Sequence, residues 1–395
     1  MPRAKKTARK PAVNKMALKV LVVDDTVLFR KLLSEALTAS GEVEVVGSAS
    51  GGFAALARIK ELKPDLITLD IEMPGMDGLQ VLDEIRRQGL ECGVIVVSAL
   101  TRRGGKLTIS ALEKGAFDFV TKPEGASLEE SMQALASSLT PIIRAFKRRF
   151  EIRSLLTRPA QPARTTTMPG RQSVGAAEKP AAAPGNEELA RITERMRQIG
   201  QPGRPKMVLI GVSTGGPNAL GQVLPQIPAG IGIPVFIVQH MPPLFTQPLA
   251  ESLHQRCKLS VKEATDGETA LPDNVYIAPG GRHMRLKNAD NQIVIEITDD
   301  PPENNCRPAV DYLFRSAAHN FAGQAVAVVL TGMGSDGLTG VKLLKRHGCY
   351  TIAQDEASCV VFGMPRAIVE AGLADAVLPL ESIAAKITAI TRGII

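Results

Sequence analysis

The chain has 395 residues, 44% of them hydrophobic, and five cysteines. It is longer than one hydrophobic core usually serves, so we expect two domains. No apolar run approaches the roughly 20 residues of a membrane-spanning helix, so we expect neither a membrane span nor, behind the basic start, a secretory signal. The cysteines are odd in number and share no CxxC spacing, which argues against disulfides and zinc and favours the cytoplasm.

Most of the formal net charge of +7 lies in residues 1–16, which contain six lysine and arginine residues and no acidic one. Because a short run of like charge is usually solvated, we predict a disordered basic arm there. Tryptophan is absent and aromatic residues make up 4% of the chain. Few side chains could stack on exposed bases, so we expect no specific nucleic-acid partner.

Residues 17–140 alternate apolar, β-branched segments with amphipathic ones. Five strands are predicted, at 18–25, 43–49, 64–70, 93–99 and 116–123. Near-continuous apolar strands that alternate with helices are typical of a parallel sheet covered on both faces. The block therefore predicts an α/β domain.

Polar residues stand where these strands end. Asp24 and Asp25 end the first strand, Asp70 the third, Ser98 the fourth and Lys122 the fifth. Ligands of doubly wound sheets bind beyond the carboxyl ends of the strands, and converging carboxylates favour a hard cation such as Mg²⁺. A hydroxyl and an ammonium at the same edge could bind an anion, so the pattern indicates phosphorylation of a carboxylate, with Asp70 best placed. Taken singly, each of these residues is more often structural than functional. All five at the ends of four strands are hard to explain by structure alone.

The motifs "VVDD", "DIEMPGMDG", "VSA" and "FVTKP" resemble those of the receiver domain of bacterial response regulators. The resemblance implies a flavodoxin-like sheet with strand order 2-1-3-4-5 and Asp70 as the phosphorylated residue. It also implies a Mg²⁺ site and a switch. The metal ligands would be Asp24, Asp25, Asp70 and the backbone carbonyl of Glu72, and the switch residues would be Ser98, Phe119 and Lys122.

Residues 141–204 are predicted to be a linker, because most of this stretch is rich in proline and alanine. A second α/β domain is predicted over 205–395, with a doubly wound, mainly parallel, Rossmann-like sheet. Its predicted strands are "MVLIGV", "PVFIVQ", "NVYIAP", "QIVIEI", "AVAVVLT" and "YTIAQ".

In the second domain a hydroxyl, an imidazole and a carboxylate each follow an apolar strand. Ser213 lies in the glycine-rich "GVSTGGP", His240 follows "PVFIVQ", and Asp336 lies in "LTGMGSDG". A Gly-Ser-Gly loop can also cradle phosphate, a histidine at a strand end is often structural, and an aspartate before glycine often caps a turn. Together the three fit the nucleophile, base and orienting acid of acyl transfer.

The second domain resembles the catalytic domain of chemotaxis response-regulator methylesterases, the CheB family. The likeness rests on "GVSTGGP", "VQHMPPLFT", "VYIAPGGRHM", "RPAVDYLFRSAA", "LTGMGSDG" and "QDEASCVVFGMPRA". It implies phosphorylation-activated hydrolysis of glutamate γ-methyl esters on methyl-accepting chemotaxis receptors, with methanol released, and deamidation of receptor glutamines. A chemotaxis histidine kinase would be the phosphodonor. Ser213, His240 and Asp336 would form the triad, with Thr214 and the Met333 backbone amide as oxyanion helpers. No His/Cys/Glu cluster in this domain has metal-ligand spacing, so we expect no cofactor here.

Three alternatives stay open at this point. A receiver domain can control a transcription factor, although a DNA-binding output should show a compact basic helix-turn-helix. The second domain could be a binding module without catalysis, but no member of the predicted triad is missing. The same esterase chemistry could also serve a chemosensory array that does not control chemotaxis.

Overall fold

The computed structural model describes residues 17–123, 125, 127–156 and 205–394. The predicted basic arm, 1–16, lies outside the described residues, as do residues 157–204 of the predicted linker. The chain divides into two compact units, one around a five-stranded sheet and the other around a seven-stranded sheet. Among the described residues, no helix has the length and apolar character to cross a membrane.

The first unit alternates strands and helices, and every strand pair in its sheet is parallel. The strands are β1 (Leu18–Val23), β2 (Val43–Ala49), β3 (Leu66–Asp70), β4 (Gly93–Ser98) and β5 (Asp118–Thr121). The helices that alternate with or follow these strands in the chain are α1 (Val27–Ala39), α2 (Gly52–Leu62), α3 (Gly78–Arg87), α4 (Arg102–Glu113) and α5 (Leu128–Leu156). Residues Leu100–Ile109, which include the first part of α4, and the part of α5 after Arg144 are grouped with the second unit. The order β2-β1-β3-β4-β5 confirms the predicted topology.

Helix α5 is longer than the sequence predicted. Residues 141–156, assigned above to the linker, continue this helix through Pro141. The side chains of Ile142 and Ile143 are buried, and the rings of Phe146 and Phe150 stack 6.1 Å apart. Burying two isoleucines is worth about 3–6 kcal/mol, against about 3 kcal/mol for an internal proline. Burial of these apolar side chains therefore stabilises the helix beyond residue 140, where the prediction ended it.

The second unit contains nine strands and six α-helices among its described residues. The strands are β6 (Met207–Val212), β7 (Val235–Gln239), β8 (Ser260–Glu263), β9 (Asn274–Ile277), β10 (His283–Ala289), β11 (Gln292–Thr298), β12 (Ala325–Val329), β13 (Tyr350–Gln354) and β14 (Ala376–Leu378). The helices are α6 (Gly216–Val223), α7 (Thr246–His254), α8 (Val310–Asn320), α9 (Leu338–Arg346), α10 (Met364–Glu370) and α11 (Leu380–Thr391).

Seven of these strands form a parallel sheet in the order β14-β13-β12-β6-β7-β9-β8, which confirms the predicted doubly wound fold. The predicted strand "QIVIEI" is β11, which pairs with β10 in an antiparallel hairpin instead of joining the sheet. Strands β6, β7 and β12 are fully buried. From β6 the chain continues to β7 on one side, and β12 returns on the other, so a crevice forms at the carboxyl ends of these three strands.

Candidate active site and phosphorylation site

Ser213 is the first residue after β6, and its backbone is held from three directions. Its N–H donates to the carbonyl of Thr331 at 3.0 Å. Its own carbonyl accepts from the Gly216 N–H at 2.7 Å and from Gln239 Nε2 at 3.0 Å. The turn into α6 passes through Gly215 at φ 76°, a conformation that favours glycine. The hydroxyl is thus carried on a fixed, sharp strand-to-helix turn.

Gly332, in the loop after β12, packs directly against Ser213. A methyl group at Gly332 would lie 2.8 Å from Ser213 Cβ and 2.4 Å from Met364 Sδ. Real Cβ atoms do not approach other atoms so closely, so a larger residue here would displace the serine.

Gly332→Ala is expected to lower kcat by about 10²-fold, because a shift of the nucleophile by about 1 Å costs roughly that much. The measurement is ester hydrolysis by the full chain. Gly51→Ala is the matched control, since a methyl group there meets nothing within 4 Å. Equal rates for Gly332→Ala and the control would show that Gly332 does not position Ser213.

His240 follows β7, the neighbour of β6, and Asp336 lies in the loop between β12 and α9. The backbone N–H of His240 donates to the Val212 carbonyl at 3.1 Å, so the residue lies beside the end of β6, next to Ser213. His240 Nε2 lies 2.7 Å from Asp336 Oδ2, and the two side chains are 12% and 3% exposed. The structure therefore brings the predicted base and acid together from two different strands of one sheet.

The Asp336 carboxylate also accepts four hydrogen bonds besides that of His240. Oδ2 accepts from the Val310 N–H at 2.7 Å, and Oδ1 from the N–H groups of Asp311 and Gly337 and from Asn304 Nδ2, each at 3.0 Å. Val310 and Asp311 begin α8, so the positive end of this helix faces the carboxylate.

Three effects act on the pKa of Asp336. Burial raises the pKa, but the hydrogen bond and charge of His240, with the backbone N–H groups of Asp311 and Val310, outweigh burial and lower it. The carboxylate is ionised at neutral pH and accepts hydrogen bonds only. His240 Nε2 must therefore carry a proton, which leaves Nδ1 as the ring nitrogen that can act as base.

Two opposing effects also set the pKa of His240. Burial lowers it, while Asp336 and the thiol of Cys306 raise it to a net value of about 9. Nδ1 lies 3.7 Å from Cys306 Sγ.

Within residues 205–394, Ser213 Oγ forms no hydrogen bond with the ring or any other group. The structure thus holds the histidine–aspartate half of the predicted relay and not the serine–histidine bond, which in free enzymes often tightens only with substrate.

We expect kcat/KM to rise with pH, to reach half of its maximum near pH 9 and to level off above that pH. The neutral base increases as pH rises through the raised pKa of His240, and kcat/KM reports groups of the free enzyme. At pH 7 about 1% of the rings would be neutral. The profile is measured as initial rates at low substrate concentration from about pH 6 to about pH 10, within the pH range in which the chain stays folded. A plateau already reached at pH 7 would contradict this assignment of the base.

The two predicted oxyanion helpers lie next to Ser213. Thr214 follows it in the chain, and its carbonyl accepts from Thr331 Oγ1 at 3.0 Å. Met333 follows Gly332, which contacts the serine. In the described part of the chain, the backbone N–H groups of Thr214 and Met333 donate no hydrogen bond. Both are therefore available to an oxyanion, and their role stays a prediction.

Three residues of the site were missed by the sequence analysis, namely Gln239, Asn304 and Cys306. Gln239 is buried, and its Nε2 donates to the carbonyls of Ser213 and His240, at 3.0 Å each, so it ties the ends of two strands together. The Asn-Asn pair in "ENNC" is a turn signal that could have been noticed. No sequence signal could have shown which side chains that turn would face.

His240, Cys306 and Asp336 are residue types that bind metals, and their ligand atoms lie within 4.8 Å of one another. Both oxygens of Asp336 and His240 Nε2 are already engaged in hydrogen bonds. We therefore interpret the group as a proton relay. The expectation that this domain needs no cofactor stays a prediction.

The first unit gathers the predicted phosphorylation residues at the carboxyl edge of its sheet. Carboxylate oxygens of Asp24, Asp25 and Asp70 lie within 4.8 Å of one another. Lys122 Nζ lies 2.7 Å from Asp70 Oδ2 and 2.9 Å from Asp24 Oδ2. The Glu72 N–H donates to Asp70 Oδ1 at 3.2 Å. Two of the three carboxylates, those of Asp24 and Asp70, thus share one ammonium group.

Burial is the largest effect on the Asp70 carboxyl. It raises the pKa, as does the charge of Asp24, while the bond to Lys122 lowers it, and the net value is about 6. Asp24 Oδ2 is buried and close to Lys122, but the contact lacks hydrogen-bond geometry, so this oxygen has no hydrogen-bond partner. Such an oxygen in an acidic cluster is suited to a hard cation.

The other two switch residues lie on neighbouring strands. Ser98 ends β4 and is 2% exposed. Phe119 lies in β5 and is half-buried. In the sheet, Asp70 pairs with Val97 and Ser98 with Thr121, so β3, β4 and β5 end side by side near Lys122. Their roles in switching stay predictions.

Both halves of the chain match known protein families. The family model described as CheB methylesterase matches residues 208–387, and the response regulator receiver domain model matches residues 20–134. A protein-glutamate methylesterase/protein-glutamine glutaminase of Desulfotalea psychrophila is 46% identical over 372 residues, 94% of this chain and 97% of the relative. A relative of the same name from Trichodesmium erythraeum is 40% identical, over 93% of this chain and 97% of the relative. The crystal structure of the Thermotoga maritima CheB methylesterase catalytic domain is 44% identical, with a TM-score of 0.46, over 47% of this chain and 97% of that one.

Proposed function

We infer that this chain, which belongs to the CheB family of protein-glutamate methylesterase/protein-glutamine glutaminases, hydrolyses glutamate γ-methyl esters and deamidates glutamines on methyl-accepting chemotaxis receptors. The observation that supports the chemistry is the 2.7 Å bond between His240 and Asp336 at the end of strands that flank Ser213. The match over 208–387 favours this activity over a DNA-binding output. All five cysteines are free thiols, as suits the cytoplasm.

In the proposed reaction, His240 Nδ1 takes the proton of Ser213 Oγ while the oxygen attacks the γ-carbonyl carbon of the ester. The N–H groups of Thr214 and Met333 would stabilise the oxyanion. The ring then gives its proton to the departing methoxide, which leaves as methanol, and an acyl-serine remains. A water molecule, deprotonated by the same nitrogen, releases the glutamate side chain and restores Ser213. With glutamine, ammonia leaves in place of methanol.

Asp336 would keep the ring oriented and Nε2 protonated throughout this cycle. Its five hydrogen bonds fix the carboxylate, and the positive end of α8 keeps it ionised. The cation that forms on His240 during each proton transfer is therefore balanced by a fixed negative charge. Methanol release from methylated receptors by the full chain tests the proposal, and no release would contradict it.

The receiver domain would control this activity through phosphorylation of Asp70 by a chemotaxis histidine kinase. Mg²⁺ fits the cluster described above, because three carboxylates converge there and Asp24 Oδ2 lacks a hydrogen bond. Asp24, Asp25, Asp70 and the Glu72 carbonyl would hold the ion. Bound there, it would neutralise charge between the carboxylates and the phosphodonor. Lys122 would then pair with the phosphoryl group, and Ser98 and Phe119 would change position.

Asp70→Asn is expected to abolish phosphorylation and the activation that follows, because the amide cannot form an acyl phosphate. The full chain is incubated with Mg²⁺ and a small-molecule phosphodonor, and phosphoprotein and methanol are measured. Asp83→Asn is the control, since Asp83 is an exposed residue paired with Lys114. Full activation of Asp70→Asn would place the regulatory phosphate elsewhere.

A further inference from the structure

A four-residue turn, 303–306, reaches into the active site from the segment before α8. Glu303 and Cys306 pair through two backbone hydrogen bonds of 3.1 and 2.8 Å, and Asn304 and Asn305 have φ of 52° and 59°. Two consecutive positive φ values define the tight turn that asparagine favours. The Glu303 carboxylate binds the guanidinium of Arg315 on α8, with one contact of 3.0 Å. The turn is therefore anchored at its base.

This turn contacts both the acid and the base of the predicted relay. Asn304 Nδ2 donates to Asp336 Oδ1 at 3.0 Å and to Asp311 Oδ2 at 3.1 Å. Two positions later, Cys306 Sγ lies 3.7 Å from His240 Nδ1, within the range of a hydrogen bond to sulfur. Side chains of one turn thus contact both Asp336 and His240, although the turn is distant from each of them in sequence.

The contact with Cys306 falls on the nitrogen that catalysis needs. Nε2 is committed to Asp336, so Nδ1 alone can accept the Ser213 proton. In the described residues that nitrogen faces the thiol, and Ser213 Oγ makes no hydrogen bond to it. The thiol and the serine hydroxyl therefore compete for one ring atom.

We propose that Cys306 is a positioning residue of this enzyme: in the free state its sulfur accepts a hydrogen bond from the protonated His240 Nδ1, and this nitrogen must lose its proton and leave the sulfur before it can activate Ser213. The proposal rests on the proposed function, because it takes His240 as the base. It adds a competing partner for the base, which makes the resting enzyme less reactive than its Ser213, His240 and Asp336 alone would be.

The titratable groups around the ring agree with this arrangement. Asp336 acts on Nε2 from the loop before α9, and Cys306 acts on Nδ1 from turn 303–306. Asp311, at the start of α8, is linked to Asp336 through Asn304. Burial lowers the pKa of His240, while the hydrogen bond and charge of Asp336 and the hydrogen bond from Nδ1 to the sulfur of Cys306 raise it. Removing the thiol should therefore lower the pKa and release Nδ1 together.

The test is the pH profile of kcat/KM for the full chain with Cys306→Ala and Cys306→Ser. Cys306→Ala is expected to move the acid limb down by about one pH unit and to raise kcat/KM at pH 7 by about tenfold. Cys306→Ser keeps a polar atom beside Nδ1, so its limb should lie between those of Cys306→Ala and the wild type. Cys257→Ala, a thiol that follows α7, is the matched control and should leave the limb unchanged.

A second measurement does not depend on activity. The chain has five histidines, so the His240 ring can be followed by NMR of ¹³C-labelled histidine, with His240→Gln to assign its signal. Its midpoint should fall in Cys306→Ala and not in Cys257→Ala. An unshifted limb and an unshifted NMR midpoint would overturn the proposal, as would equal loss of rate at all pH values with the limb in place. The proposed function fails separately, if Ser213→Ala hydrolyses the ester at the wild-type rate.

Discussion

Ser213→Ala is expected to lower the rate of methanol release from methylated receptors by roughly 10⁴-fold or more, because a triad without its nucleophile loses nearly all of its advantage. The fold should not suffer. The Ser213 side chain is half-buried, and its Oγ makes no hydrogen bond in the described residues, so the free energy of unfolding should change by less than about 0.5 kcal/mol.

The matched control for this experiment is Ser260→Ala. Ser260 is an exposed serine on the edge strand β8 and should retain the wild-type rate. Methanol and thermal unfolding are measured on the same preparations. If Ser213→Ala is folded and releases methanol at more than about a tenth of the wild-type rate, another group performs the attack and the account of the active site is wrong.

Asp336→Asn is expected to lower kcat/KM by roughly 10³–10⁴-fold, since the wrong tautomer of the histidine would then be favoured. The pKa of His240 should fall as well, because the charge and hydrogen bond of Asp336 raise it. The acid limb of the profile would move to lower pH while the plateau collapses. This combination separates loss of the orienting acid from a simple loss of folded protein.

Asp336→Asn should also lower stability. The pKa of Asp336 is lowered in the folded chain, so its contribution is complete above the ordinary value of 3.8 and is lost as pH falls through the folded value. The amide cannot accept from all of the present donors, which costs about 1–3 kcal/mol at neutral pH. Asp299→Asn, which alters an exposed ion pair with Arg282, is the control. Full activity of Asp336→Asn would remove Asp336 from the relay.

The central sheets and the strand-end residues could be predicted because their signals are local. Strands such as β6 and β12 are short, wholly apolar and followed by glycine-rich turns, so their ends could be located from the sequence. Parallel strands place those ends at one edge of the sheet, and this rule brought Asp336 and His240 together before any contact was known.

The remaining features depended on tertiary contacts. Strands β8 and β14 lie at the two edges of the sheet. Strand β8, "SVKE", is largely polar, as edge strands often are, and β14, "AVL", is apolar but has only three residues, so neither gave a clear strand signal. Helix α5 continued past Pro141 because Ile143 is buried, which no local rule reveals. Cys306 approaches His240 across 66 positions of sequence through an Asn-Asn turn, and a turn signal says nothing of what it faces.

The most direct measurement is the site and rate at which a serine-directed fluorophosphonate labels the full chain, read by mass spectrometry in the wild type and in His240→Ala. A hydroxyl activated by an oriented imidazole should carry the label on Ser213, react faster as pH rises, and react at least about 10²-fold more slowly without the ring. A label on any other residue, or an equal rate in His240→Ala, would contradict the shared proton relay.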